Sequence, residues 1–284
     1  MNIALMVSGF VRLDNNMQKL RIFLENNSKH TIDIYSSTYN IKGLQQKEHN
    51  DPSVYMKSGH LKDDYFDSLR KTHNVRTEIE DYEESSQICK DFIKNNLVSM
   101  KKGNDDFWKR SEAKLRDGFI DDESNIRRSY AQWRKVYKTY NLIQTPKEYD
   151  LLVRSRYDYI INELNLDNYQ NINDNDMCVQ DKTSGVRDVI FNNGERLKYD
   201  FYDGLAIGKP EAMKKYCSHG SEDVFRYRMN SDECEADNFY NRRGASAKLS
   251  NELFCSFLCF HLHNLDHVAI NEFNIKTNRY NKTY

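Results

Sequence analysis

The first forty residues constrain the fold more than any other part of the chain. "NIALMV" (residues 2–7) is a short apolar run closed by "SGF", the pattern of a buried strand entering a tight turn. Met17, Leu20, Phe23 and Leu24 then recur at helical spacing until the polar "ENNSKH" ends them. "TIDIYSSTY" alternates as a second strand. Two strands joined through a helix are read as a parallel βαβ unit, the usual start of an open α/β sheet.

Further along, the signal weakens and then returns. Residues 41–123 read as a helical or loop excursion, and "KKGNDDFWKRSEAKLRDGFIDDES" offers only Phe107 and Trp108 as large apolar anchors. Residues 124–145 carry the clearest helix, with Tyr130, Trp133, Tyr137 and Tyr140 at three-to-four spacing and Pro146 just past the end. The aromatic stripe is assigned to the core. The opposite face, with Arg127, Arg128, Arg134, Lys135 and Lys138, is assigned to solvent, and Arg127 or Arg128 near the helix start could meet a phosphate. "MCVQD" and "GLAIG" follow as strands, then a helix opening at Pro210. "SNELFCSFLCFHLHNL" reads as a helix capped by Ser250, with Phe254, Phe257, Leu258 and Leu265 available to the core, and "HVAINEFNI" as a last strand. The order of elements predicts one α/β domain over residues 1–284. Its mostly parallel sheet is flanked by helices, with 1–40 as the opening unit and 124–284 as the second half.

Composition narrows the partners. Lysine and arginine number 42 against 43 acidic residues, so no global field favours nucleic acid or an anionic membrane. Mean hydropathy is −0.87, and no apolar run approaches the roughly 18 residues a membrane-spanning helix needs. "MNIALMVSGF" lacks the basic start and the apolar length of a secretory signal, so a soluble, cytoplasmic protein is expected. The six cysteines show no CxxC pair, and Cys255 and Cys259 lie four apart, as core residues of a helix would. Reduced structural thiols are expected.

"YDLLVRSRYDYI" (residues 149–160) places charge inside an apolar run. Arg154, Arg156 and Asp158 alternate, which in an extended chain puts all three on one face. Burying two guanidinium groups and a carboxylate is costly unless they pair or bind something. One reading is a structural Arg–Asp–Arg network. The other places the arginines on a ligand's phosphates, with Asp158 on a divalent cation or a ribose, because ligands of open α/β sheets sit beyond the carboxyl ends of the strands.

Four elements in order, "SGFVR", "RSRYD", "DGLAIG" and the glutamate of "NELF", carry a resemblance. The chain resembles a group of glycosyltransferases found in bacterial surface-polysaccharide loci and in large DNA viruses. Their pattern is S-G-x-x-R, R-x-R-x-D, D-x-x-A-I-G and a Glu that opens a C-terminal helix. The resemblance implies a GT-A-like, Rossmann-like fold and transfer of a sugar from a nucleotide-diphosphate donor, such as a UDP-sugar, to a hydroxyl of a glycan or glycoprotein. It implies that Ser8, Gly9, Arg12, Arg154, Arg156 and Asp158 bind the nucleotide sugar, with Asp158 also holding Mn²⁺ or Mg²⁺. Asp203 and Glu252 become the candidate catalytic carboxylates, and His261, His263 or His267 a possible late metal ligand. A viral member would act in the host cytoplasm.

Each of these residues also has a plainer explanation. Arg12 can be a solvated turn arginine, Asp203 a turn aspartate before Gly204, and Glu252 a carboxylate favoured at a helix start. Two other functions remain open. One is a metal-dependent phosphoesterase using Asp158, Asp181 and Asp203. The other is a non-catalytic module that binds nucleotide sugars or carbohydrate through its many tyrosines.

Overall fold

The computed structural model describes residues 1–11, 16–42, 44–46, 55–57, 59–103, 122–157, 164–181, 189–190, 196–197, 201–229 and 251–270. Its strands are β1 (Asn2–Ser8), β2 (Thr31–Tyr39), β3 (Leu44–Gln46), β4 (Tyr55–Lys57), β5 (Val75–Glu80), β6 (Leu151–Arg156), β7 (Asp176–Asp181), β8 (Val189–Ile190), β9 (Arg196–Leu197), β10 (Phe201–Gly208) and β11 (Asp266–Ala269). Seven of these form one sheet in the order β11-β7-β10-β6-β1-β2-β5. β3–β4 and β8–β9 are separate small antiparallel pairs.

The opening unit is as expected. β1 and β2 pair in parallel with α1 (Asn16–Asn26) between them in the chain, and the short α2 (Asp67–Arg70) precedes β5. β1 also pairs in parallel with β6, β2 with β5, and β7 with β11. Only β10 is reversed, running antiparallel to both β6 and β7. The sheet is therefore open, mixed and mostly parallel.

Helices cover both faces, which is why the central strands read as continuous apolar runs. Ile3, Leu5 and Val7 of β1 join Leu151 and Val153 of β6 and pack against Leu20, Phe23 and Leu24 of α1. Ala4, Met6 and Leu152 point the other way, toward Trp133 and Val136 of α4 (Asp122–Asn141). α5 (Pro210–Cys217) adds Met213, Tyr216 and Cys217 to this second layer, while α7 (Asn251–Ser256) and the π-helical turn after it add Cys255 and Cys259. Phe254, Phe257, Leu258 and Leu265 are buried, as their spacing implied. A satellite core joins Phe92 and Ile93 of α3 (Tyr82–Gly103) to Tyr130 of α4 and to Phe225 and Met229 of α6 (Glu222–Met229).

Two expectations are revised. Residues 41–123 are not wholly an excursion, because they supply β5, an edge strand of the main sheet, as well as α3. The polar face of α4 is not simply solvated. Lys135 is fully buried, and Arg134 and Lys138 are paired with Glu80 of β5. The side chains of Arg127 and Arg128 and the stretch holding Phe107 and Trp108 fall outside the described residues.

One contact fixes α4 against the turn after α5. A Cβ built on Gly220 would lie 1.9 Å from the Trp133 carbonyl oxygen and 2.8 Å from Tyr137 Cβ, so only glycine fits there. Cys89, Cys178, Cys217, Cys255 and Cys259 are buried thiols, and the sulfurs of Cys255 and Cys259 are 3.9 Å apart.

Candidate functional site

The strand order defines where a ligand would bind. From β1 the chain proceeds to β2 on one side, and later returns to β6 on the other. Open α/β sheets bind ligands in the crevice that such a reversal leaves beyond the carboxyl ends of the strands. Here the crevice lies between the ends of β1 and β6, where register sets Ser8 directly opposite Arg156. Two motifs separated by nearly 150 residues of chain thus meet at one edge.

β10 brings a third motif to that edge. Because the strand is reversed, its amino end lies beside the carboxyl ends of its neighbours, and Leu205 pairs with Ser155 of β6. Asp203 stands two residues before Leu205, inside a register shift between Tyr202 and Ala206. A β-bulge there re-aims the local chain at the sheet rim.

The turn after β1 is held from β2. Gly9 has φ of +102°, a conformation that residues with a Cβ rarely adopt. Its N–H donates to the Ser37 carbonyl at 3.1 Å, and its carbonyl accepts from Thr38 Oγ1 at 2.8 Å. Phe10 then stacks on Tyr39 with ring centroids 4.4 Å apart, and Tyr82 at the start of α3 contacts both rings. Asn40 positions Tyr82 by accepting its N–H at 3.1 Å, while Asp81 accepts the N–H of Glu84 and caps the helix.

Behind this turn lies an ion network that is fully buried at Lys135 and half-buried at its other charged members. Glu80 accepts from Lys135 at 2.7 Å, Arg134 at 3.0 Å, Ser85 at 2.9 Å and also from Lys138. Glu78 accepts from Lys138 at 2.8 Å and from Ser37 at 2.9 Å. Burial alone would raise the Glu80 carboxyl, but the surrounding cations, Lys135 and Lys138 foremost, hold it well below the usual carboxylate range. Lys135 also donates to the Thr38 carbonyl at 2.8 Å and lies 4.1 Å from the centre of the Tyr39 ring. Burial outweighs its Glu80 partner and lowers Lys135 to about 8.

The two arginines of the central motif have different surroundings. Arg156 is half-buried at the end of β6. Arg154 is fully buried, with its guanidinium carbon 5.9 Å from the Trp133 ring, on the layer that also holds Cys217. Among the described residues none accepts a hydrogen bond from its guanidinium. The shared face of the motif thus turns inward toward α4 at Arg154 and reaches the sheet edge at Arg156. Tyr157 anchors the next step by hydrogen bonding its hydroxyl to Ser36.

Other expected residues are placed less fully. Ser8 is buried at the end of β1. Arg12 and Asp158 lie outside the described residues, whereas Asp203 and Glu252 are described only by their backbones in β10 and α7. His261 is exposed, while burial lowers His267 to about 4 and also lowers His263. Among the described residues no three His, Cys, Asp or Glu side chains gather as a metal site. No helix of the described residues is long and apolar enough to cross a membrane.

Sequence reasoning missed Glu78, Glu80, Lys135 and the Phe10–Tyr39–Tyr82 cluster. The alternating "VRTEIE" was a readable strand signal that puts both glutamates on one face. Nothing local marks Lys135, whose partners lie 55 or more residues away in the chain. Searches against protein-family models and against curated proteins find no match to this chain.

Proposed function

We propose that the protein is a nucleotide-sugar-dependent glycosyltransferase with a GT-A-like sheet. The observation that carries this reading is the pairing of Ser8 with Arg156 at the switch point between β1 and β6. It brings the S-G and R-x-R motifs of the resemblance to one crevice, and β10 adds the backbone of Asp203 at the same edge.

Several features suit a nucleoside diphosphate. Gly9, with no Cβ and a left-handed backbone, allows a phosphate to approach the chain closely. Arg156 offers a planar fork for phosphate oxygens. Phe10 and Tyr82 are half-buried rings beside the turn and present apolar faces at the same edge. Arg154, enclosed against Trp133, adds positive charge beneath the crevice and is assigned to the electrostatics of the site.

The reaction would break the bond between the anomeric carbon and the diphosphate while an acceptor hydroxyl attacks that carbon. Positive charge at the diphosphate stabilises the leaving group as the bond breaks. Arg156 supplies part of it. Asp158, two residues beyond Arg156, is the residue that would hold a divalent cation, since Mg²⁺-type ions take few protein carboxylates beside substrate phosphates. Such a cation would supply further charge at the leaving oxygens. Asp203 or Glu252 would take the acceptor's proton as general base.

The test follows release of nucleoside diphosphate from UDP-, GDP- and dTDP-sugars in the presence of acceptor glycans. Turnover that disappears in Asp158→Ala, with an unchanged circular dichroism spectrum, supports the reading. Full turnover by that variant removes Asp158 from the site. Hydrolysis of a simple aryl phosphodiester without use of any nucleotide sugar would favour a phosphoesterase instead.

A further inference from the structure

We infer that Lys135 is a positioning residue. Although buried, it fixes the Gly9–Phe10 turn through Thr38 and Tyr39, and with it the affinity of the crevice for a phosphate-bearing ligand. The inference rests on the functional reading above for the identity of that ligand.

The connection can be followed atom by atom. Lys135 comes from the middle of α4 and is held by Glu80 of β5 at 2.7 Å. Its ammonium donates to the carbonyl of Thr38 at 2.8 Å, near the carboxyl end of β2. The hydroxyl of the same threonine donates to the Gly9 carbonyl at 2.8 Å. Lys135 also sits 4.1 Å over Tyr39, whose ring stacks on Phe10. The residue therefore restrains the turn twice, through a backbone carbonyl and through an aromatic stack.

Burying a lysine only to hold a helix on a sheet is poor design energetically, because an apolar residue of similar size does this without desolvating a charge. What an apolar residue cannot do is donate to the Thr38 carbonyl and so, beside the pairing of β2 with β5, orient the strand end. Arg134, Lys138 and Ser85 remain around Glu80 if Lys135 is removed, so the network can lose this member without stranding the carboxylate. Gly9 needs such restraint, because its backbone freedom makes the turn costly to order.

The test uses two variants of the full chain. Lys135→Met deletes the ammonium while keeping an unbranched apolar stem. Thr38→Val deletes only the hydroxyl and leaves the carbonyl that Lys135 meets. The first readout is hydrogen exchange at the Gly9 amide, compared with Ala4 and Leu5 of β1 in the same molecule. Loss of one hydrogen bond should speed Gly9 exchange relative to those controls by roughly five- to tenfold in each variant. The second readout is the donor KM, expected to rise by a similar factor while kcat stays within about twofold.

A structural role alone would make Gly9 exchange change in step with Ala4 and Leu5, and that result overturns the inference. Faster Gly9 exchange with an unaltered donor KM overturns it as well. If the unaltered protein uses no nucleotide sugar, the functional reading fails by itself. The exchange comparison still decides whether Lys135 anchors the turn.

Discussion

Replacing Glu80 with glutamine should be among the most damaging single-charge changes outside the apolar core. Glu80 meets three cations whose side chains are exposed to very different extents: Lys135 at 0%, Arg134 at 14% and Lys138 at 27%. Lys138 keeps Glu78 at 2.8 Å, and Arg134 keeps Ser85 at 3.1 Å. The fully buried charge left without an anion is therefore Lys135, whereas Arg134 loses its carboxylate too but stays partly exposed and keeps Ser85. Removing one partner of a buried pair costs about 3–5 kcal/mol, because the survivor stays desolvated. The Thr38 carbonyl and the Tyr39 face still solvate the ammonium, which puts the expected loss near the lower end, about 3 kcal/mol. Lys135→Met removes the buried charge together with its need for a partner and should cost only about 1–2 kcal/mol. Adding it to Glu80→Gln should cost little more than Glu80→Gln alone, giving a coupling of about 1–2 kcal/mol. Urea unfolding of the four proteins measures this, provided the m-values agree. Strict additivity, or a Glu80→Gln cost under about 1 kcal/mol, would refute the claim that the pair is buried and ionised.

Other consequences can be checked with the same protein. Gly220→Ala forces a Cβ onto the Trp133 carbonyl, so α4 must shift; the expected loss is about 3 kcal/mol or more by urea unfolding, and a neutral result would contradict this packing. Arg156→Ala should weaken donor binding about tenfold or more while leaving the melting temperature within a few degrees, as calorimetric titration and scanning can show. Stability should fall as the solution is acidified. His219 is buried and His267 half-buried, both with lowered pKa values, so the unfolded chain binds more protons and stability is lost as pH drops below 6.5. Glu80, also lowered, adds to the loss below its ordinary value of 4.5. A urea midpoint that stays flat between pH 7 and pH 4 would contradict both burial assignments.

What the sequence disclosed follows from how local each signal is. The opening βαβ unit, the strands "MCVQD" and "GLAIG", and the helix at Pro210 were all legible, because periodicity and breakers lie within a dozen residues. The alternation of Arg154 and Arg156 was also visible. Their different fates were not, since one meets Trp133 from α4 and the other ends the strand at the rim. β5 was missed because its alternation runs against its burial: Ile79 is exposed, while Glu78 and Glu80 on the other face meet cations of α4. Lys135 was misread for a related reason. A lysine on the polar side of an amphipathic helix is normally solvated, and only the non-local approach of Glu80 reverses that expectation. The union of Ser8 with Arg156 is a product of strand order, which no single segment encodes.

The central claim is that the crevice between β1 and β6 receives a nucleoside diphosphate sugar. Its most direct test is a thermal-shift panel of UDP-, GDP-, dTDP- and CMP-linked sugars, each with Mn²⁺ and with EDTA, because a ligand that binds only the folded state raises the melting temperature increasingly as its concentration exceeds Kd. The account predicts a rise confined to one of the diphosphate classes (UDP, GDP or dTDP) and reduced in Arg156→Ala, whereas a rise with the monophosphate CMP-sugar alone would contradict it. A rise lost in EDTA would identify a cation at the diphosphate. One that survives EDTA would leave the arginines as its main counter-charge. A flat response to every nucleotide sugar, at concentrations up to several millimolar, would contradict the account.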